Sequence, residues 1–159
     1  DTKVPKILVA APSTKIIWEV LSHTSLFRDL VEMGYVIMHI TSKHGAYINH
    51  KKVSREVFFE KLTSYGKDDN QKLIVFHYSI LSEGINCPGL THCIMLRNLP
   101  VIEMLQTIGR VIRVSQEDRS AMQDKSLAVG EYSLYPQATH KFVVGLYNKS
   151  KILEFVPIL

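Results

Sequence analysis

Three observations predict an α/β domain with a mainly parallel sheet flanked by helices. Short apolar runs recur along the chain, stretches of helical periodicity separate them, and polar or glycine-bearing breaks stand between the two. Runs without polar alternation suit strands buried on both faces, and parallel strands need helix-length crossovers between them. At 159 residues, with 46% hydrophobic and 21% charged content, the chain has the size and balance of one globular domain.

The elements follow in order. Residues 6–11 (KILVAA) read as a buried strand, and Pro12-Ser13 ends it, with Ser13 placed to cap a helix. Ile16, Ile17, Val20 and Leu21, then Phe27, Leu30 and Val31, continue at helical spacing, with a break near 22–25 and a stop at Gly34. Residues 35–41 (YVIMHIT) form a second buried strand, followed by the polar loop Ser42-Lys43-His44-Gly45. Ser54 caps the next helix, which carries Val57, Phe58 and Leu62 inward and ends at Gly66. After a polar turn at 67–71, residues 73–78 (LIVFHY) and 91–96 (THCIML) supply the third and fourth strands. Pro100 opens a helix at a position where proline is tolerated. Beyond Arg113 the pattern thins. Residues 115–125 are polar, Tyr132, Tyr135 and Pro136 suit an inserted hairpin, and 141–147 (KFVVGLY) reads as a last strand.

A net charge of +4 and a pI near 9.0 lean mildly toward polyanionic partners. No apolar run reaches the roughly 18 residues of a membrane span, and no signal-peptide pattern opens the chain. Cys87 and Cys93 cannot build a disulfide framework, so the cytosol, bacterial or of a phage-infected host, is the expected compartment. Cys87, His92 and Cys93 match no zinc spacing, and His39, His44 and His50 have no cysteine or acidic partner at ligand spacing; no metal site is expected at either group. Trp18, on the first helix, is expected to pack at the domain surface and not to stack on a base.

In open α/β sheets ligands bind beyond the carboxyl ends of the strands. That rule selects 12–14, 42–45, 78–86 and the helix after the fourth strand. The third segment, Ser79-Ile80-Leu81-Ser82-Glu83-Gly84-Ile85-Asn86, offers small polar side chains and backbone donors, or is a plain connection in which Gly84 serves backbone geometry. On the helix, Val101, Leu105, Ile108 and Ile112 form an apolar stripe, with Gln106, Arg110 and Arg113 roughly opposite. Arginines so placed are either a solvated face or a fork for phosphate oxygens.

Together, Glu83-Gly84-Ile85-Asn86-x-Pro88 and, about twenty residues later, Gln106-x-x-Gly109-Arg110-x-x-Arg113 closely resemble motifs V and VI of superfamily 2 helicases. The order of strands and helices from 6 to 113 is similar to that family's second, C-terminal RecA-like domain, a three-layer P-loop-NTPase-like fold. Residues 114–159 then form a C-terminal extension to one domain spanning 1–159. Gln106, and Tyr78 six residues before Gly84, resemble phage-type DNA repair and recombination helicases more than DEAD-box RNA helicases.

The resemblance implies roles. Arg113 acts as arginine finger on the γ-phosphate of ATP, Arg110 reaches the same phosphate, and Gln106 lines the cleft. Glu83, Gly84 and Asn86 approach the nucleotide, although Asn86 stands where many members carry an aspartate on the ribose. Ser13, Ser42, Lys43, Gly45, Tyr78 and Ser79 hold the phosphate backbone of a nucleic-acid strand, DNA in preference to RNA. The chain has no Gly-x-x-x-x-Gly-Lys-Ser/Thr loop and no acidic pair ending a strand, so the phosphate loop and the magnesium ion are expected on an N-terminal RecA-like domain, with Asp1 opening a fragment. Two other readings stay open: a non-catalytic RecA- or Rossmann-like module binding a phosphorylated ligand or a partner, and the equivalent domain of an RNA helicase or a restriction-type translocase.

Overall fold

The computed structural model describes residues 4–78, Cys87, 89–96 and the backbone of the strand Phe142–Gly145. Chain order is β1 (Lys6–Ala10), α1 (Thr14–His23), α2 (Leu26–Glu32), β2 (Tyr35–Thr41), β3 (Gly45–Ile48), β4 (Lys51–Val53), α3 (Arg55–Lys67), β5 (Lys72–His77), β6 (His92–Met95) and β7 (Phe142–Gly145). The seven strands form one sheet in the order β4-β3-β2-β5-β1-β6-β7.

Side-chain alternation along the strands makes two cores. Val9, Ala11, Tyr35, Ile37, Ile74 and Phe76 face Ile17 and Leu21 of α1 and Leu30 of α2. Leu8, Met38, Ile40, Leu73, Val75, Cys93 and Met95 face Phe58 and Leu62 of α3, joined by Cys87 and Leu90. The chain moves one way along the sheet from β1 to β2 and the other way from β2 to β5. Crossovers of one hand then require opposite faces, and α1–α2 and α3 do lie on opposite faces.

The helix starts follow the predicted caps. Ser13 accepts from Ile16 N at 3.1 Å and Ser54 from Val57 N at 3.2 Å. Between α1 and α2 the chain breaks at Thr24–Ser25, and Gly34 ends the pair with φ +88°. Gly66 does not end α3. The helix runs on to Lys67, and the Gly66 carbonyl is where Gly89 of the β6 approach meets it.

The sheet is mixed: mainly parallel, with an antiparallel edge that the sequence reading did not place. β1, β2, β5, β6 and β7 pair in parallel, but β2/β3 and β3/β4 are antiparallel. Asn49 and His50, with φ 47° and 67°, make the two-residue hairpin turn between β3 and β4. Asn49 fastens that turn to β2: its Oδ1 accepts from Ile37 N at 2.9 Å and its N–H donates to Ile37 O at 2.8 Å.

At the amino edge of the parallel strands, Lys6 is fully buried. Its Nζ donates to Tyr65 O at 2.7 Å, Asp68 O at 2.6 Å and Gln71 O at 2.6 Å. One ammonium thus satisfies carbonyls from the last turn of α3 and from the turn that leads into β5. Thr91 completes the junction: its Oγ1 accepts from Lys6 N at 2.9 Å, and its N–H donates to Lys6 O at 2.9 Å. A Cβ on Gly89 would collide with Gly66 O and lie 2.9 Å from Lys6 Cδ.

Replacing the ammonium removes the donor shared by three partly buried carbonyls, so Lys6→Met is expected to cost about 2 kcal/mol or more. Gly89→Ala is expected to cost about 1–3 kcal/mol by overpacking. Urea unfolding curves of both variants measure this, and a Lys6→Met curve superimposable on the parent's would contradict the role given to Lys6.

Candidate nucleic-acid and nucleotide-facing edge

Strands β1, β5 and β2 are neighbours and parallel, so their carboxyl ends lie side by side. Ser13 follows β1, Tyr78 follows β5, and Ser42, Lys43 and Gly45 follow β2. Strand spacing places these three groups along one edge spanning roughly 10 Å. The structure therefore brings together the described members of the sequence-derived backbone-binding set.

Each member also has a local duty. The Ser13 hydroxyl is the N-cap of α1, so its oxygen is engaged and its O–H proton is what remains to donate. Tyr78 is half-buried and packs against the α1–α2 core. Ser42 and Lys43 are exposed in a tight turn that Thr41 closes, its Oγ1 accepting from His44 N at 2.9 Å. Gly45 begins β3 with φ +85°, a backbone region that disfavours any side chain. The 42–45 loop is thus the reversal into an antiparallel strand and not a crossover loop, which the sequence reading missed.

Ser79, Glu83, Gly84, Asn86, Gln106, Arg110 and Arg113 lie outside the described residues. The described chain enters those two segments at Tyr78 and at Leu96. Leu96 N donates to Ala10 O at 2.9 Å, and Ala11 N donates to His77 O at 2.9 Å. Both departures therefore flank the end of β1 at the same edge.

Beside this edge stands a ring cluster that sequence reasoning saw only as scattered histidines. His39 and Tyr47 are cross-strand partners on β2 and β3, and their rings stack at 4.8 Å and 7°. Trp18 of α1 stacks on His44 at 5.0 Å and 24°, and meets Tyr47 and His39 edge-on at 5.4 and 6.0 Å. His50 stacks on Phe27 at 3.6 Å. The missed signal was Ile48-Asn49-His50-Lys51, whose asparagine tolerates the positive φ of a two-residue turn.

Among the described residues no group of three or more His, Cys, Asp or Glu could hold a metal ion. Burial pushes the Cys93 thiol up to about 12, consistent with its place inside β6. No helix among the described residues is long and apolar enough to cross a membrane.

Burial, then repulsion from His50 and His44, lowers the His39 pKa to about 4. Below the ordinary imidazole value, unfolded chains take up a proton that native His39 refuses. Stability is therefore whole at neutral pH, falls as pH drops from about 6.5 toward 4, and loses at most about 3 kcal/mol through this group. Urea midpoints measured across that window should show the fall in the parent and a shallower one in His39→Phe. Parallel profiles for the two proteins would remove His39 as the cause.

No family model matches the chain, and no curated protein matches it. A solved structure does. The chain is similar to part of the ATP-dependent Type ISP restriction-modification enzyme LlaBIII bound to DNA, with 15% identity and a TM-score of 0.50. The match covers 93% of this chain and 8% of that one. What is shared is the fold: an α/β architecture like that of a segment of that enzyme.

Proposed function

We propose that the chain is the second motor domain of an ATP-dependent superfamily 2 helicase or translocase acting on DNA. The observation that carries this reading is positional. The Glu83-Gly84-Ile85-Asn86 and Gln106-x-x-Gly109-Arg110-x-x-Arg113 segments are reached from strands on either side of β1, at the carboxyl edge where α/β sheets meet their ligands. ATP lies between this domain and an N-terminal RecA-like partner domain, which supplies the phosphate loop and holds magnesium. Arg113 offers its guanidinium to the charge that develops on the transferring phosphoryl group, with Arg110 beside it and Gln106 lining the cleft. Glu83, Gly84 and Asn86 flank the nucleotide. Ser13, Ser42, Lys43, Gly45, Tyr78 and Ser79 hold the phosphates of the translocating strand, a sequence-independent grip that suits a motor.

One solved structure of similar fold is a restriction-modification enzyme bound to DNA, which supports DNA as the polymer acted on. A small-anion-binding module without catalysis is the competing reading. It predicts tight binding of a phosphorylated metabolite by this chain alone, which calorimetry detects.

In the protein that joins this domain to its motor partner, Arg113→Ala is expected to lower DNA-stimulated ATP hydrolysis by about a thousandfold or more while nucleotide binding persists. Steady-state hydrolysis and equilibrium nucleotide binding check the two halves of that statement. Undiminished turnover would sink the arginine assignment. The 159-residue chain alone is expected to hydrolyse no ATP.

A further inference from the structure

The hairpin β3–β4 carries chemistry that the motor reading does not use. Between Glu32 and Glu56 the sequence contains Lys43, Lys51, Lys52 and Arg55 and no aspartate or glutamate. The register divides these cations. Tyr47 pairs with Lys52, and both share the sheet face of His39 and Trp18; Lys51 pairs with Ile48 and takes the opposite face. A row His39–Tyr47–Lys52 therefore crosses three strands under α1, with Lys43 at the adjoining turn.

Trp18 stands over that row. Three rings touch it, yet 38% of its surface stays in solvent. An indole is costly to leave there unless something covers it. The nearest acid on its helix, Glu19, is 3.6 Å from Lys15, which offsets it locally. Ring faces flanked by lysines that no acid among the described residues pairs are complementary to a ligand that alternates flat apolar groups with negative charges. An unpaired nucleic-acid strand has that alternation. A duplex hides its base faces, and an acidic peptide lacks them.

We propose that Trp18, His44, Tyr47 and Lys52 form a base-stacking surface for an unpaired nucleic-acid strand, with Lys43 and Lys52 holding its phosphates. This rests on the nucleic-acid part of the motor reading and adds a stacking surface beside the carboxyl-edge grip, with which it shares Lys43. His39, buried beneath Tyr47, is a positioning residue that sets the ring row. The surface lies on the β2–β3–β4 side of that edge, so a strand crossing the carboxyl ends can continue onto it without leaving the domain.

Trp18 is the chain's one tryptophan, so its fluorescence reports on the site directly. Titrating the 159-residue chain with an oligothymidylate of about 12 nucleotides should quench that emission saturably. Trp18→Ala should weaken binding of a labelled oligonucleotide, followed by anisotropy, about tenfold or more, and Trp18→Phe should restore most of it. Lys52→Gln should weaken binding and reduce the salt slope by about one, while Lys51→Gln, with the same charge change on the other face, should leave the slope nearly unaltered. Binding without quenching, equal effects of the two lysine variants, or equal affinity for a duplex overturns this surface while leaving the carboxyl-edge grip standing. Displacement of the strand by polyglutamate at equal charge concentration overturns it in favour of an acidic protein partner. No binding at all overturns both this surface and the grip, whereas the Arg113→Ala hydrolysis test is independent of every one of these outcomes.

Discussion

The Lys6 ammonium fixes the geometry on which the rest of this domain depends. A lysine that is 0% exposed has surrendered all its hydration, and three carbonyl oxygens at 2.6–2.7 Å replace it. Those carbonyls are otherwise under-satisfied, because a helix C-terminus and the turn after it supply few backbone donors; Asp68 O takes one, from Gln71 N at 3.2 Å. The charge also sits at the negative end of the α3 dipole. Donor and acceptors thus solve each other's problem, and the solution ties β1, α3 and the entry to β5 at one point. Gly89 lets the approach to β6 pass against the same point, since any side chain there would strike Gly66 O.

That knot occupies the amino edge, and the candidate chemistry occupies the carboxyl edge. The separation has a physical use. Register set at one end of five parallel strands is transmitted along them by their ladder, so the opposite ends arrive in fixed order without needing bonds of their own. Several carboxyl-edge residues are accordingly lightly committed: Ser42 and Lys43 are exposed, and the Ser13 hydroxyl accepts one bond from its own helix. Groups proposed to grip a moving strand are better held by the scaffold behind them than by one another.

The hairpin β3–β4 changes what this architecture can do. It extends the sheet past β2 with antiparallel strands that need no covering helix, and so leaves a face partly open beside α1. On that face lie stacked rings and a lysine; on the reverse, Ala46 enters the α3 core and Val53 packs against it. His39 is central to both purposes. Its burial keeps the imidazole neutral near physiological pH, where it serves as a flat support for Tyr47 instead of a charge that would split the cluster.

Much of this was legible in the chain. The apolar runs located β1, β2, β5, β6 and β7, and Ser13, Ser54 and Gly34 marked helix ends, because strand burial and helix capping are local in sequence. The motif residues from Glu83 to Arg113 are likewise a linear pattern, but their spacing left the arginines open, and it was the resemblance to helicase motifs that suggested a nucleotide-facing role. Tertiary structure decided what depends on partners far along the chain. It made Lys6 a buried hub through contacts about sixty residues away, which no lysine announces in a sequence. It carried α3 past Gly66, paired His39 with Tyr47, and set Lys51 and Lys52 on opposite faces. Residue type gives a side chain its chemistry, but only the register of the sheet decides which neighbours that chemistry meets.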